Sequence, residues 1–368
     1  MKPMATRVLY HPFVLKGAVG LIEHGFASGF AEAGAEVLVW DGDSNTPEFI
    51  QALASFRPTH FVGHMQTVAR TNSVWMAEPI RAVLLEYKKR TGLRVAACSA
   101  PGNLAEYFGD WLTNATVHKQ AGVASFYGQP PRPNAVEREA LADGLIDLVT
   151  TRWSIGAVPG AYRNFLELGT PVLVQPQAAE ARYYDSVPVV EQDIDLLYIG
   201  NCWSFKWENM RQYVQPLKER FGNGFQIYGS GWPEGISLGP LDDGRLSEMA
   251  ARARINLGLH EPSQVLVDRP ASANERVFKL LSMGAFVISD PCAAFQSFFR
   301  EGEHLVIARS GAEMVALAET MLAQPERRRA IAKQGRQHVM KCHTYRQRAE
   351  RLLSVLSGTP VGIYDFAA

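Results

Sequence analysis

The sequence predicts an α/β protein built from two facing Rossmann-like domains, each a doubly wound parallel sheet, with a central cleft between them. Three observations carry that expectation. The chain has 368 residues, more than one ordinary hydrophobic core serves, which favours two domains. Short apolar strands alternate with helical segments along its whole length, the order that gives parallel sheets with right-handed crossovers. The strands are rich in Val, Leu and Ile, and several lack polar alternation, as strands buried on both faces do.

The first half offers strands at Arg7–Tyr10, Glu36–Trp40, His60–Gly63, Arg94–Cys98, Asp147–Thr150 and Pro171–Val174. Between them, Ser73–Arg90 reads as a helix, with Val74, Ala77, Ile80 and Leu84 at helical spacing. The second half repeats the logic with strands at Asp195–Ile199, Phe225–Tyr228, Arg254–Leu259, Ala285–Ser289 and Leu305–Ile307. Its helices include Arg245–Ala253, Asn274–Met283, Ala312–Leu322 and Glu326–Lys341. In Asn274–Met283 the spacing of Val277, Leu280 and Leu281 gives one buried face, with Arg276 and Lys279 off it. Gln175–Gln192, with Pro176 and Pro188, reads as the linker between domains. A final helix at Tyr345–Leu356 stops at Gly358 and Pro360. The expected division is therefore residues 1–178, residues 190–342, and a C-terminal helix and tail, 343–368, packing back on the first domain.

Composition narrows the function. Lys plus Arg and Asp plus Glu both total 37. That balance argues against a wholesale electrostatic grip on nucleic acid or an anionic membrane. Cys98, Cys202, Cys292 and Cys342 form no Cys-x-x-Cys pair, and no His-x-x-x-His or His-x-x-Glu-His spacing occurs. A metal site is not expected. The residues Met1 to Tyr10 lack a signal-peptide core, and no run reaches the length of a membrane span. A cytoplasmic protein with reduced thiols is expected.

Ligands of doubly wound sheets bind at the carboxyl ends of the strands, so the loops there hold the candidates. The stretch Arg254–Asp290 aims a helix start, Ala273–Asn274–Glu275–Arg276, at the mouth of the second sheet. A helix N-terminus attracts anions through unpaired N–H groups and its dipole, and a guanidinium binds phosphate as a fork. Ser272 is the expected cap. Gly200 to Lys206 follows the first strand of the second half, and Lys206 and Arg211 there either reach phosphate or are surface charges on a helix start. Gly229, Gly231 and Trp232 follow the next strand, where a tight turn explains the glycines as well as a ligand does. In the first half, Gly17 and Gly20 permit close backbone approach to a ligand or simply a flexible turn. His11 and His64 each follow a strand, and either is a candidate general base; Asp110 is the acidic candidate.

The second half resembles the GT-B glycosyltransferases of the CgeB-like, spore-maturation type. The resemblance rests on Asp195–Gly200, Ile227–Trp232, Ala253–Leu257, Asn274–Phe278, Gly284–Asp290, Gly335, His343–Tyr345 and Arg348, in that order. It covers about Asp195 to Leu353; the first half fits only in architecture. It implies transfer of a sugar from a nucleotide diphosphate donor, with UDP the working case, to an acceptor the sequence does not identify: a small metabolite, a glycan, a protein or, against the neutral charge, a nucleic acid. It implies no cofactor and no metal, since the helix dipole and basic side chains offset the leaving diphosphate. It places Asn274 and Arg276 near the diphosphate, and Gly229–Trp232 near the nucleotide.

The chain departs from the family pattern at Phe278–Lys279, where Phe-Glu is usual and the Glu is expected to hold the donor ribose. A lysine cannot accept a hydroxyl hydrogen bond. Glu275 then substitutes, the nucleotide sits differently, or activity is altered. Alternatives to transfer are epimerisation of a nucleotide sugar on the same fold and inactive sugar-nucleotide binding.

Overall fold

The computed structural model describes residues 5–13, 17–40, 46–65, 72–98, 135–152, 162–202, 204–260 and 273–361. The chain divides into two compact units. One runs to Pro176 and resumes at Tyr345; the other holds Gln177–Thr344. All strand pairings in both are parallel.

The first unit contains β1 (Arg7–His11), α1 (Gly17–Glu32), β2 (Glu36–Val39), α2 (Thr46–Phe56), β3 (His60–His64), α3 (Ile80–Thr91), β4 (Arg94–Cys98), α4 (Ala135–Ala142), β5 (Leu148–Thr151), α5 (Arg163–Leu166) and β6 (Val172–Val174). Its six strands lie in the order β2-β1-β3-β4-β5-β6. The chain leaves β1 toward one edge and returns on the other side at β3, so the topological switch lies between β1 and β3. Leu9, Phe61, Val95 and Val149 bury one face of the sheet with Phe49 and Trp75. Val8, Tyr10, Val62, Ala96 and Leu148 bury the other with Phe30. Alternate residues of one strand thus enter different cores, which is why the strands read as unbroken apolar runs.

The second unit contains α6 (Ala181–Tyr184), β7 (Ile194–Ile199), α7 (Ser204–Phe221), β8 (Phe225–Tyr228), α8 (Leu246–Arg252), β9 (Ala253–Leu257), α9 (Glu275–Ser282), β10 (Val287–Ser289), β11 (Val306–Ile307), α10 (Gly311–Leu322) and α11 (Pro325–Cys342). The strand order is β11-β10-β9-β7-β8, which puts its switch between β7 and β9.

The helix α12 (Tyr345–Leu356) belongs to the first unit. Its Ala349, Leu352 and Leu356 join the core face that holds Phe30. Close approach of α12 to α1 depends on Gly25 and Gly29. A Cβ on Gly29 would stand 2.4 Å from the Tyr345 carbonyl oxygen, and one on Gly25 would stand 2.3 Å from the Tyr345 ring. Gly29→Ala is therefore expected to cost about 1–3 kcal/mol, the ordinary penalty of overpacking. Urea unfolding at neutral pH measures it, and an unchanged midpoint would refute the packing argument.

One expectation needs correcting. The segment Ser73–Arg90 is not one helix: a 3-10 turn, Val74–Met76, precedes α3. Pro79 stands between them and supplies no N–H to continue a ladder. The segment expected as the linker is packed at its start. Ala178, Ala179 and Tyr183 are buried, and the Tyr183 hydroxyl donates to Asp243 at 2.9 Å. Side chains at spacing i, i+1 and i+5 gave no periodic signal, so only packing revealed them. Strand ends elsewhere differ from expectation by a residue or two.

None of the four cysteines is in a disulfide. Among the described residues, no helix is long and apolar enough to cross a membrane.

Candidate functional site

In the second unit, the switch point is organised by Arg276. Its Nε donates to the Ile199 carbonyl, at the end of β7, at 2.7 Å. Its Nη1 donates to the Leu259 carbonyl, just past β9, at 2.9 Å. The guanidinium carbon lies over the Tyr198 ring, 4.6 Å from its centroid. The side chain thus bridges the two strands between which the topology reverses. Two of its five N–H donors are occupied by these carbonyls, and the others meet no acceptor among the described residues. Gly200 lacks a side chain where one would collide with this group: a Cβ there would stand 2.4 Å from Nη2.

The helix start beside Arg276 is fixed by Asn274, which corrects the expected cap at Ser272, a residue outside those described. The Asn274 Oδ1 accepts from the Val277 N–H at 3.2 Å, while its Nδ2 donates to the Leu259 carbonyl at 3.1 Å. One residue therefore caps α9 and pins it to the strand-end loop.

Behind that loop lies a buried ion pair. His260 Nδ1 is 2.7 Å from Asp290 Oδ1, and both side chains are fully buried. The same carboxylate accepts the His260 backbone N–H at 3.1 Å. Burial alone would lower the His260 pKa. The Cys292 thiol and the Asp290 carboxylate outweigh burial and push it up to about 10.

Lys279 is another correction. It is buried rather than off the packed face, with Nζ 2.6 Å from Glu275 and 4.5 Å from the centre of the Tyr183 ring. Tyr183 comes from α6, so the segment after the unit boundary, invisible to periodicity within α9, covers this side. Glu275, the expected substitute for the ribose carboxylate, is the ion-pair partner of Lys279.

Gly229 and Gly231 serve the approach of two strand-end loops. Their φ angles are +138° and +79°, and added Cβ atoms would meet the Gly200 and Cys202 carbonyl oxygens at 2.2 and 2.0 Å. Only glycine tolerates both the conformation and the contact. Trp232 closes the same junction, its Nε1 donating to the Gly200 carbonyl at 2.9 Å. Lys206 lies in the first turn of α7, with its side chain outside the described residues. Asp110 also lies outside them.

In the first unit, Gly17 opens α1 and Gly20 follows within it. His64 ends β3, at the switch, and a residue the sequence did not single out meets it: Glu23 of α1. His64 Nε2 is 3.1 Å from Glu23 Oε2. The same oxygen accepts from the Tyr10 hydroxyl at 2.6 Å and from the Phe13 N–H at 3.2 Å. Glu23 Oε1 accepts from Arg152, which follows β5. Burial of Glu23 opposes its charge, but His64 and Arg152, with bonds from His64 and Tyr10, hold its carboxyl well below the usual carboxylate range. Burial and the neighbouring Glu23 charge raise the Tyr10 hydroxyl well above its usual value. His11 is directed elsewhere: its Nδ1 lies 3.0 Å from the Trp40 carbonyl, and its ring packs on Trp40. A signal for Glu23 did exist, because it is the one carboxylate in the mostly apolar run from Gly17 to Phe30. Tyr10 and Arg152 offered none.

Residues 208–354 match a family model described as glycosyl transferase-like. No curated protein sequence matches the chain. Among solved structures, similarity extends over nearly the full length. A glycosyltransferase from Rickettsia africae is 8% identical with a TM-score of 0.58, covering 96% of this chain and 98% of its own. Sucrose-phosphate synthase from Thermosynechococcus elongatus is 12% identical with a TM-score of 0.58 and the same coverage. The Anabaena protein HepE, solved with UDP-glucose, is 10% identical with a TM-score of 0.57, covering 96% of this chain and 100% of its own. At these identities the likeness is one of fold: two parallel-sheet α/β domains of GT-B type.

Proposed function

We propose that the chain is a metal-independent glycosyltransferase of the CgeB-like group, taking a nucleotide diphosphate sugar as donor. The second unit binds the donor and the first the acceptor. One observation carries the reading: Arg276 is held rigid by two backbone carbonyls and a tyrosine ring at the topological switch, beside the N-terminus of α9, with donors still unspent. Such a group is preorganised for an anion, because its ordering cost is met before the ligand arrives. The glycosyl transferase-like match over residues 208–354 and the UDP-glucose bound in HepE support a UDP-sugar as the first donor to test.

In this reading the α9 N-terminus and Arg276 hold the diphosphate, and the same charges offset the one that develops as it leaves. No cofactor and no metal are required, so chelator is expected to leave turnover unchanged. Cysteines outside any disulfide fit a reducing, cytoplasmic setting.

The pair Lys279–Glu275 favours a second reading, a sugar-nucleotide-binding protein without transfer. The carboxylate expected to accept from the ribose is absent, and its neighbour is already paired.

The deciding experiment is thermal unfolding against a panel of nucleoside diphosphates. A ligand at about 100 times its Kd stabilises the native state by about 2.7 kcal/mol. At least one nucleotide should raise the midpoint of the native chain, and Arg276→Ala should show no rise over its own ligand-free midpoint. No response to any nucleotide would overturn both readings. Consumption of the bound donor then separates transferase from binding protein.

A further inference from the structure

We infer that Glu23 is a positioning residue that fixes His64 as the general base of an inverting transfer to a hydroxyl-bearing acceptor. The inference rests on the transferase reading and adds to it the mechanism and the acceptor's reacting group.

His64 ends the strand at the switch of the first sheet, where doubly wound sheets bind ligands. Its Nε2 faces Glu23 Oε2 at 3.1 Å and Arg152 Nη2 at 3.4 Å. An ionised carboxylate has no donor, so its contact needs a proton on Nε2, whereas the longer approach of the Arg152 N–H would need a lone pair there; the shorter contact to Glu23 decides. The proton on this edge of the ring therefore sits on Nε2 and is donated to Glu23. That assignment leaves Nδ1 as the basic nitrogen, and it has no hydrogen-bond partner among the described residues.

Glu23 is held in place and kept ionised from every side. Tyr10 and the Phe13 N–H fill the rest of Oε2, and Arg152 takes Oε1. Among the described residues, the titratable and charged groups around His64 are Glu23 from α1, Arg152 after β5, Tyr10 from β1 and Cys98, its register partner in β4; the Phe13 ring packs on the imidazole with centroids 5.7 Å apart. A carboxylate on one ring nitrogen sets the tautomer, orients the ring and stabilises the imidazolium that forms when the other nitrogen takes a proton.

The step balances without another reactant. The acceptor oxygen bonds to the anomeric carbon, and its proton passes to His64 Nδ1. The bond from that carbon to the donor's diphosphate breaks, and its electron pair leaves on the diphosphate. Attack opposite the leaving group inverts the anomeric configuration.

The first test needs no substrate. In the full chain labelled with 15N-histidine, with His64 identified through His64→Gln, two-bond proton–nitrogen correlations report the tautomer. Neutral His64 should carry its proton on Nε2, and Glu23→Gln should shift it toward a mixture. An Nδ1–H tautomer in the native chain overturns the inference. The second test uses turnover. His64→Gln should lower kcat by about 10²–10⁴-fold, the usual contribution of general base catalysis, while nucleotide still raises its unfolding midpoint. Glu23→Gln should lower kcat with little change in donor KM. An unchanged kcat in Glu23→Gln, or a product that retains configuration, overturns the inference. The two ideas fail separately: absence of nucleotide binding removes the transferase reading, whereas an Nδ1–H tautomer removes only the role of Glu23.

Discussion

Asp290→Ala is expected to cost about 3–5 kcal/mol in urea unfolding at pH 7, the scale for breaking a buried ion pair from one side. His260 and Asp290 are fully buried and 2.7 Å apart. Removing the carboxylate strands the imidazolium and the His260 backbone N–H together. The sign of the pH dependence follows from the direction of the shift. The folded pKa of His260, about 10, lies above the 6.5 of the unfolded chain, so the native state binds more protons between those values. The contribution is fully present below about pH 6.5 and is lost as pH rises through about 10. Native stability should therefore fall across that window, and the Asp290→Ala chain should show a weaker slope there. The effect reaches the candidate site because His260 follows Leu259, whose carbonyl holds both Arg276 and Asn274. Nucleotide binding should weaken with stability. A loss below about 1 kcal/mol, with no slope between pH 6.5 and 10, would falsify the pairing.

Lys279→Glu is expected to destabilise by about 3–5 kcal/mol, even though glutamate is the residue usual at this position in the family the chain resembles. The substitution puts two carboxylates one helical turn apart in a packed setting, where Lys279 and Glu275 now sit 2.6 Å apart and only 8% exposed each. Tyr183 offers its ring face to the ammonium, and that face repels an anion. The swap Glu275→Lys with Lys279→Glu restores opposite charges and should recover part of the loss. Recovery should fall short, because Glu275 opens α9 and a lysine there opposes the dipole by about 0.3–1 kcal/mol. Chemical denaturation of the two single variants and the double variant gives the coupling directly. Additive losses would show that the pair contributes nothing.

How much of the site was legible in advance varies by residue. Arg276 and Asn274 were legible because a helix start after a strand constrains what lies at the mouth of the sheet. Their partners were not. Tyr198, Ile199 and Leu259 reach Arg276 from two strands far away in sequence, and no local pattern encodes that meeting. Gly229 and Gly231 were legible as a turn. The loop carbonyls that exclude a Cβ from them belong to another strand end. Lys279 was misread because helical periodicity assigns faces within one helix, and α6 covers the face it left polar.

The sequence by itself determined the fold class, the alternation of elements and most strands of both sheets. These follow from residue type and spacing: apolar runs of strand length need cover on both faces, and intervening helices provide it. Only the tertiary structure decided the order of the strands, and with it the two switch points where Arg276 and His64 stand. Only it brought Glu23, Tyr10, Arg152 and His64 to one place. The physical reason is range. Propensity and periodicity act over a few residues, whereas a buried carboxylate is stable only where several distant donors converge on it.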